Sequence, residues 1–423
     1  MEELEKKKEF VHIPGPLNPK LGVTPLLEKN LGTPVYVEKI ENSPYPLVAN
    51  LWSTRERIAW ALNCKKEKLL HLLLRAVEHP GRCEEVDAKP ECQKISEKPD
   101  LSKLPILTHY SGDGGPYITS GVVVVKDPET GVHNMSIHRL QVIDRRKLAI
   151  RLVPRHLYHI HRKSVARGEE LEVAILIGAT LDILLAASTS TELGVDEREI
   201  ASTIRGKPLK VVRCVGKDVE IPVETQFVLE GRITFETVEE GPFPDVTGTY
   251  DEVRQQPVVE LDLVTRCPRP VYHAILPGGY EHRLLMGLPR EPMIYRSVSR
   301  VVPKIHGVRL TEGGCCWLHA VIAIEKQHDG DGKNAILAAF AGHPSLKHVV
   351  VVDSDVDIWD EREVEYTIAT RVQADRDLVV IKGARGSSLD PSSLGTGITA
   401  KLGVDATTPA GEKERYRRVL KPG

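Results

Sequence analysis

The sequence has few aromatic residues and few cysteines. Aromatic side chains make up 5% of the 423 residues, and the seven cysteines include no C-x-x-C pair. Without such pairs a structural zinc–thiolate site is not expected. An odd number of scattered cysteines in a long chain fits reduced thiols better than a disulfide framework.

The chain also lacks an excess of positive charge. Lys and Arg total 57 against 59 for Asp and Glu, a formal net charge of -2, so no basic field is present to hold nucleic acid. The start, MEELEKKKEF, is charged where a signal peptide would be apolar, and the longest apolar stretch, 173–187, is interrupted by Gly178 and Asp182. We therefore expect a soluble cytoplasmic protein with neither a nucleic-acid nor a membrane partner.

The first part of the chain predicts a separate N-terminal domain. It begins with a proline-rich stretch, and Ser53 and Glu56 stand in capping-box spacing at the start of a helix. Residues 84–103 are acidic and lysine-rich without apolar periodicity, which predicts a surface connection. We place the first domain boundary just after this connection, which gives a domain over 1–110.

The middle of the chain, 111–303, has the pattern of a sheet with helices. A β-branched run at 122–125, a turn at 127–131 and a second run ending at Val142 predict a hairpin. The other elements predicted in this part are the helices 156–166 and 181–187 and the strands 173–177, 209–215, 225–237 and 258–264.

Strands and helices alternate in the last part, 304–423. The predicted elements are the strands 321–324, 349–353 and 378–381 and the helices 333–340 and 361–372. Valine runs without alternation indicate strands covered on both faces, as in a parallel sheet. An α/β domain is therefore expected at the C-terminal end.

Three residues of the middle part form a candidate metal site. Asn134 offers an amide oxygen, His156 an imidazole and Glu197 a carboxylate, a set that suits Mn²⁺ or Mg²⁺ better than zinc. The chain has 16 histidines and many glutamates, so spacing alone leaves unrelated polar residues as the alternative.

A second group consists of Arg139, Glu240 and Asp245. Pro242 and Pro244 stiffen the backbone between the two carboxylates. One acid beside an arginine can stay ionised while the other keeps a proton, an arrangement used for acid/base chemistry. The alternative on composition is an acidic, proline-rich surface loop.

Seven segments, in order along the chain, carry a family resemblance. They are SPYPLVANLWSTRERIAWAL, GGPYITSGVVVVKDPETG leading into NMSIHRLQV, GVDEREIASTIRGKPLKVV, FVLEGRI, EGPFPDVTGTY, KHVVVVDSDVDIWDEREVEYTIATRVQADRDLVV and AKLGVDATTP. Together they resemble the UbiD family of decarboxylases, compact archaeal type, whose members use prenylated FMN. The resemblance extends over most of the chain.

The resemblance implies a multidomain α+β / α/β fold. Its parts are an N-terminal α+β piece, a central flavin-binding split β-barrel and a C-terminal α/β domain with an oligomerisation helix. The implied cofactors are prenylated FMN, supplied by a flavin prenyltransferase, with Mn²⁺ or Mg²⁺, and K⁺ as a further ion. The implied assembly is a homo-oligomer, either a dimer or a hexamer.

The resemblance also implies roles for individual residues. Asn134, His156 and Glu197 fall on the metal ligands of the family. Arg139 would orient the substrate carboxylate, Glu240 would hold Arg139, and Asp245 would donate a proton. The positions that fall on the cofactor-contacting stretches are Ile137, His138, Arg139, Arg151, Leu152, Val153, His156 and Leu157. Departing CO₂ leaves electrons that no side chain can delocalise, which is why an organic cofactor is needed.

Two structural questions follow from these assignments. Asn134 and Arg139 differ in parity, so a regular strand would point them to opposite faces. Either a bulge lies between them or the metal and substrate lie on different sides of the strand. Pro244 stands where the family has glycine, and its effect on the loop is open.

For the substrate, the resemblance implies a small unsaturated carboxylic acid, trans-anhydromevalonate 5-phosphate of isoprenoid biosynthesis. The residues available for its phosphate, which the sequence does not rank, are Arg151, Arg155, Lys163, Arg283 and Arg290. The alternative is an aromatic acid of 4-hydroxybenzoate or polyprenyl-hydroxybenzoate type, which an aromatic content of 5% disfavours. A non-catalytic flavin-binding subunit of a larger carboxylase is the alternative of another class, and the complete catalytic set argues against it.

Overall fold

The computed structural model describes residues 9–393 and 396–416. The chain divides into two compact units, Met1–Leu285 and Met286–Gly423. The domain boundaries predicted at residues 110 and 303 stay predictions.

The first unit contains most of the strands. Its strands are β1 Val11–Ile13, β2 Val35–Val37, β3 Leu47–Ala49, β4 Cys83–Glu85, β5 Ile95–Glu97, β6 Tyr117–Ile118, β7 Val122–Lys126, β8 His133–Ile137, β9 Leu140–Val142, β10 Lys147–Ile150, β11 Leu171–Ile177, β12 Leu209–Arg213, β13 Glu220–Pro222, β14 Phe227–Glu240, β15 Phe243–Pro244, β16 Tyr250–Asp251, β17 Arg254–Arg266 and β18 Tyr272–His273. Its helices are α1 Thr24–Lys29, α2 Arg55–Ala61, α3 Leu69–Glu78, α4 His156–Ala166, α5 Leu181–Ala187 and α6 Glu197–Arg205. Helix α7, Tyr280–Gly287, crosses the boundary between the units.

A nine-stranded sheet forms the centre of the first unit. Its order is β6-β9-β10-β17-β14-β11-β7-β8, and β5 pairs with β17. β8 and β9 lie near opposite ends of this order, yet only His138 and Arg139 separate them in the chain. Because three peptide steps span at most about 11 Å, the sheet has to curl until its ends meet. The expected split-barrel architecture is confirmed.

The predicted hairpin is confirmed, and its second strand is interrupted. β7 and β8 pair in an antiparallel register that joins Val125 to Asn134. The chain leaves β8 after Ile137 and resumes pairing as β9, against β10 and β6. Asn134 therefore lies on β8 and Arg139 in the break that follows it, so strand alternation does not relate the two side chains and the parity question is resolved.

The barrel interior explains the unbroken apolar runs. Val123 and Val125 on β7 pack with Ile175 on β11 and Leu229 on β14 in one core cluster. Val124, which points the other way, is also fully buried. Helices α5 and α6 pack on the β8 side of this sheet. Strands covered on both faces need apolar residues at every position.

Two local predictions were wrong. The helix α2 is capped by Thr54, which accepts a hydrogen bond from Arg57 N at 3.2 Å, whereas Ser53 donates to Asn50 O. The stretch 84–103 is not a surface connection, because β4 pairs with β12 and β5 with β17, and Cys92 is fully buried. Its charged side chains face outward while its backbone joins the sheets.

The second unit is an α/β layer, as predicted. Its strands are β19 Ile305–Leu310, β20 His319–Ile324, β21 His348–Asp353, β22 Leu378–Arg385 and β23 Ile398–Ala406. Its helices are α8 Glu291–Val298, α9 Asp331–Gly342 and α10 Glu361–Arg371. The order is β19-β20-β21-β23-β22, with β20, β21 and β23 parallel and the outer strands antiparallel. The valine run of β21 lies in the middle of this sheet.

Two further expectations concern membrane-spanning helices and the C-terminal end of the chain. Within residues 9–393 and 396–416 no helix combines the length and apolar character needed to cross a membrane. A 3₁₀ turn covers Lys413–Tyr416, and residues 417–423 lie outside the described residues. The predicted oligomerisation helix stays a prediction.

Candidate active site

The three predicted metal ligands lie together. Asn134 is on β8, His156 is the first residue of α4 and Glu197 the first residue of α6. Asn134 Nδ2 lies 3.0 Å from both carboxylate oxygens of Glu197, and His156 Nδ1 lies 3.5 Å from Glu197 Oε1. The packing of α6 on β8 brings Glu197 to Asn134 across 63 residues of sequence.

The buried carboxylate of Glu197 fits a divalent cation. It is 2% exposed, and within the described residues neither a lysine nor an arginine pairs with it. Burial raises its pKa, while the hydrogen bond to His156 lowers it. The Asn134 amide can turn its oxygen toward the same point, because its oxygen and nitrogen occupy equivalent positions. Groups of three His, Cys, Asp or Glu placed for a metal do not occur in the described part of the chain. The candidate set has two such residues, with the Asn134 amide as its third member.

The two predicted cofactor-contacting stretches lie side by side. Arg151 N donates to Arg139 O at 3.3 Å, and His138 Nδ1 lies 2.9 Å from Arg151 O. Burial lowers the pKa of His138 to about 4, so its imidazole is neutral at pH 7. Because a carbonyl only accepts, His138 carries its proton on Nδ1, and Nε2 accepts from Ser136 Oγ at 3.0 Å.

Arg139, the arginine predicted to orient the substrate carboxylate, is held by Glu240 in a bidentate pair. Arg139 Nε donates to Glu240 Oε1 and Nη2 to Glu240 Oε2, both at 2.9 Å. The side chains are 11% and 0% exposed. Burial lowers the pKa of Arg139, but the hydrogen bonds to Glu240 and the surrounding carboxylates have the larger effect. The net result is a raised pKa of Arg139. Arg139 thus stays cationic.

Two residues that sequence reasoning missed support Glu240 from the other side. Tyr117 OH lies 3.0 Å from Glu240 Oε1 and 3.1 Å from Gln141 Oε1. Gln141 Nε2 donates to Gly114 O at 2.7 Å, and Gln141 Oε1 accepts from Gly241 N at 3.0 Å. Burial raises the pKa of Tyr117, which keeps its hydroxyl protonated as a donor.

Asp245 lies at the tip of a small flap. β15 and β16 pair through Phe243 and Asp251, and the turn between them carries Asp245. Asp245 Oδ2 lies 3.9 Å from Arg139 Nη1, too far for a hydrogen bond. The gap leaves Nη1 facing a second carboxyl group without a bond to it.

His282 also interacts electrostatically with Asp245. Burial lowers the pKa of His282, while the charge of Asp245 raises it. Gly278 N donates to His282 Nδ1 at 3.1 Å. The imidazole is therefore neutral with its proton on Nε2, so it can donate toward an acidic group.

Asp251 is a further missed residue, and it also contacts Arg139. Its Oδ2 accepts from Arg139 Nη2 at 3.2 Å and lies 3.4 Å from Arg151 Nε, and Oδ1 accepts from Arg254 Nη1 at 2.5 Å. Burial opposes its ionisation, but the Arg254 hydrogen bond and the three guanidinium charges outweigh it and lower its pKa. Asp251 is thus an ionised carboxylate, whereas among the described residues Asp245 has one long contact to a cation, Arg139.

Family models match three successive parts of the chain. They are described as the N-terminal domain, the Rift-related domain and the C-terminal domain of 3-octaprenyl-4-hydroxybenzoate carboxy-lyase, and they match residues 1–77, 84–280 and 283–406. The chain belongs to the UbiD family. This UbiD-family protein is a carboxy-lyase.

Individual relatives are similar over nearly the whole chain. The anhydromevalonate phosphate decarboxylase of Methanothermobacter thermautotrophicus is 51% identical over 386 residues, 91% of this chain and 90% of the relative. The structure of the UbiD-class enzyme HmfF from Pelotomaculum thermopropionicum in complex with FMN has a TM-score of 0.96 at 41% identity, over 100% of this chain and 96% of that one. An evolved dimeric form of HmfF in complex with prenylated FMN has a TM-score of 0.93 at 39% identity, over the same shares, 100% and 96%.

The candidate phosphate ligands of this UbiD-family enzyme differ in their partners. Lys163 is engaged by Asp127 at 2.7 Å and Glu129 at 3.0 Å. Arg155 has no carboxylate partner within the described residues, and its Nη1 donates to the neutral Ser190 Oγ at 3.0 Å. Desolvation lowers the pKa of Arg155. Because no carboxylate of the described residues contacts it, the positive charge of Arg155 is not neutralised by the protein.

Proposed function

We propose that this UbiD-family enzyme is a prenylated-FMN-dependent decarboxylase of trans-anhydromevalonate 5-phosphate in isoprenoid biosynthesis. The observation that best supports decarboxylation is the geometry of the Arg139 guanidinium. Its Nε and Nη2 bind Glu240, and its Nη1 faces Asp245 at 3.9 Å. The substrate is supported by the relative at 51% identity, whose name is anhydromevalonate phosphate decarboxylase.

The residues present fit the implied cofactors. Asn134, His156 and Glu197 would hold Mn²⁺ or Mg²⁺, and the paired stretches 137–139 and 151–153 would border the flavin. When bound, prenylated FMN supplies the electron sink that cleavage of a carbon–carbon bond needs. We further propose that the enzyme works in the cytoplasm as a homo-oligomer and receives its cofactor from a flavin prenyltransferase.

The protein's own residues carry out binding and proton transfer. Arg139 Nη1 binds the substrate carboxylate, and Glu240 keeps the guanidinium from turning. The bond between the carboxylate carbon and its neighbour breaks, and CO₂ leaves. Asp245, protonated, delivers its proton to the carbon that has lost CO₂, and a solvent proton then restores Asp245. Asp251 does not compete for this role, because three guanidinium groups hold it ionised.

Among Arg151, Arg155 and Lys163, Arg155 is the phosphate ligand that the contacts favour. Lys163 is neutralised by two carboxylates and Arg151 faces Asp251, whereas Arg155 contacts a hydroxyl group. Arg155 also directly precedes His156, at the end of the segment that leads from Arg139 toward the candidate metal site. A phosphate oxygen would meet an uncompensated guanidinium there.

The test is a CO₂-release screen with protein loaded anaerobically with prenylated FMN. Mass spectrometry identifies the bound chromophore, and the acids are the phosphorylated enoic acid, its unphosphorylated form and a set of phenolic acids. Turnover of the phosphorylated acid alone is expected. Turnover of a phenolic acid instead would establish the aromatic alternative. A correctly loaded protein that releases CO₂ from none of them would be a carrier subunit.

A further inference from the structure

Asp251 joins the barrel to the flap that carries Asp245. Three arginines from three segments contact its carboxylate. They are Arg139 between β8 and β9, Arg151 after β10 and Arg254 at the start of β17. The side chain is 9% exposed. A single carboxylate with three cationic partners is a junction whose loss would remove a carboxylate contact from all three.

The position of Asp251 in the flap gives that junction a mechanical role. Asp251 is paired with Phe243 across the two-stranded flap, and Asp245 lies in the turn between these strands. The guanidinium of Arg139 lies 5.6 Å from the centre of the Phe243 ring, so the flap rests on the same arginine from a second direction. Movement of Asp251 would therefore change the distance between Arg139 Nη1 and Asp245.

The hydrogen bonds of Arg139 divide its donors. Glu240 accepts hydrogen bonds from Nε and from Nη2 of Arg139. Asp251 accepts a second hydrogen bond from Nη2, at 3.2 Å. With these donors engaged, only Nη1 is left for a substrate carboxylate. Asp251 Oδ1 is occupied by Arg254 Nη1 and Glu252 N, so the carboxylate has no free role toward a ligand.

We propose that Asp251 is a positioning residue of the active site. It completes the hold on the Arg139 guanidinium and fixes the flap, so that Asp245 stays opposite Nη1. The proposal rests on the proposed function for the roles of Arg139 and Asp245. It adds a residue that does not itself touch the reacting atoms.

The test compares Asp251→Asn, which keeps the shape and removes the charge, with Asp251→Glu, which keeps the charge. Asp218→Asn is the matched control, because Asp218 pairs with Lys126 and Arg213 on the surface. In flavin-loaded protein we expect Asp251→Asn to lower kcat about 10- to 100-fold, as a displaced catalytic group does, with KM changed less than about 3-fold. Asp251→Glu should recover part of kcat, and Asp218→Asn should match the wild type.

A structural readout separates this proposal from the proposed function. A crystal structure of flavin-free Asp251→Asn should show the Arg139 guanidinium turned away from its two bonds to Glu240, or the flap displaced from Arg139. Unchanged Arg139 geometry together with wild-type kcat would overturn the proposal. A kcat loss matched by an equal loss of flavin occupancy and melting temperature would also overturn it, because the role would then be folding alone. If the wild type decarboxylates no acid, the proposed function fails, and the geometry of Arg139 still decides the role of Asp251.

Discussion

Arg139 and Glu240 form two parallel hydrogen bonds of 2.9 Å, although 101 residues separate them in the chain. The pair sets the plane of the guanidinium, which a single contact would not do, and the contact of Asp251 with Nη2 completes the hold. Because the pair uses Nε and Nη2, the direction in which Arg139 offers Nη1 is set by the protein before a substrate arrives. A preorganised donor of this kind costs no rearrangement during the reaction.

Replacing Glu240 by Gln is expected to lower both activity and stability. The amide presents a donor to the Arg139 fork and leaves part of a buried guanidinium unpaired. Breaking a buried ion pair in this way costs about 3–5 kcal/mol of unfolding free energy, measured by denaturant titration. The control is Glu236→Gln, whose partner Lys147 is on the surface and whose removal should change stability little. Equal stability of the two variants would contradict the buried character of the Arg139–Glu240 pair.

Replacing Asp245 by Asn should block turnover while binding remains. The amide has the size of the acid but no proton to give, so kcat is expected to fall about 100-fold or more. Affinity for a saturated, unreactive analogue should stay within about 3-fold, because Arg139 Nη1 makes no hydrogen bond to Asp245. Rapid-quench measurement of CO₂ and product in the first turnover checks whether proton delivery is the affected step. Wild-type kcat in this variant would show that another group is the donor.

Replacing Arg155 by Gln tests the phosphate contact. KM for the phosphorylated acid is expected to rise about 10-fold, the usual scale of one charged hydrogen bond, with kcat unchanged. The unphosphorylated acid should be affected less than about 2-fold, and flavin binding, measured by fluorescence titration, should not change. Arg162→Gln on helix α4 is the matched control, since Arg162 lies over the Tyr158 ring. Lost flavin affinity would instead assign Arg155 to the cofactor, and equal effects on both acids would exclude a phosphate contact.

Replacing Glu197 by Gln tests the metal site independently of catalysis. Affinity for Mn²⁺, measured by electron paramagnetic resonance titration of flavin-free protein, should fall at least about 10-fold. Without metal the variant should be no less stable than the wild type, because a buried carboxylate without a Lys or Arg partner no longer has to be desolvated. Glu199→Gln on the same helix is the control and should keep the wild-type affinity. Equal Mn²⁺ affinity in both variants would remove Glu197 from the ligand set.

The local patterns of the sequence were sufficient for most elements. The helix predicted at 156–166 and the helix predicted at 181–187 have those bounds in the structure, and the α/β alternation of the second unit is confirmed. These elements are decided by residue patterns within one segment. Segment 84–103 was mispredicted because its charged side chains hide backbone pairing with distant strands.

The sequence by itself determined the kinds of residue available for chemistry: an amide, an imidazole and a carboxylate for a cation, and an arginine with two acids for decarboxylation. Only the tertiary structure decided which of them meet. Closure of the barrel at His138 and Arg139 brings Glu240 and Asp251 to one guanidinium and Tyr117 to Glu240. Such convergence depends on strand order and sheet curvature, which arise from packing between segments more than 100 residues apart and leave no periodic signal in any one of them.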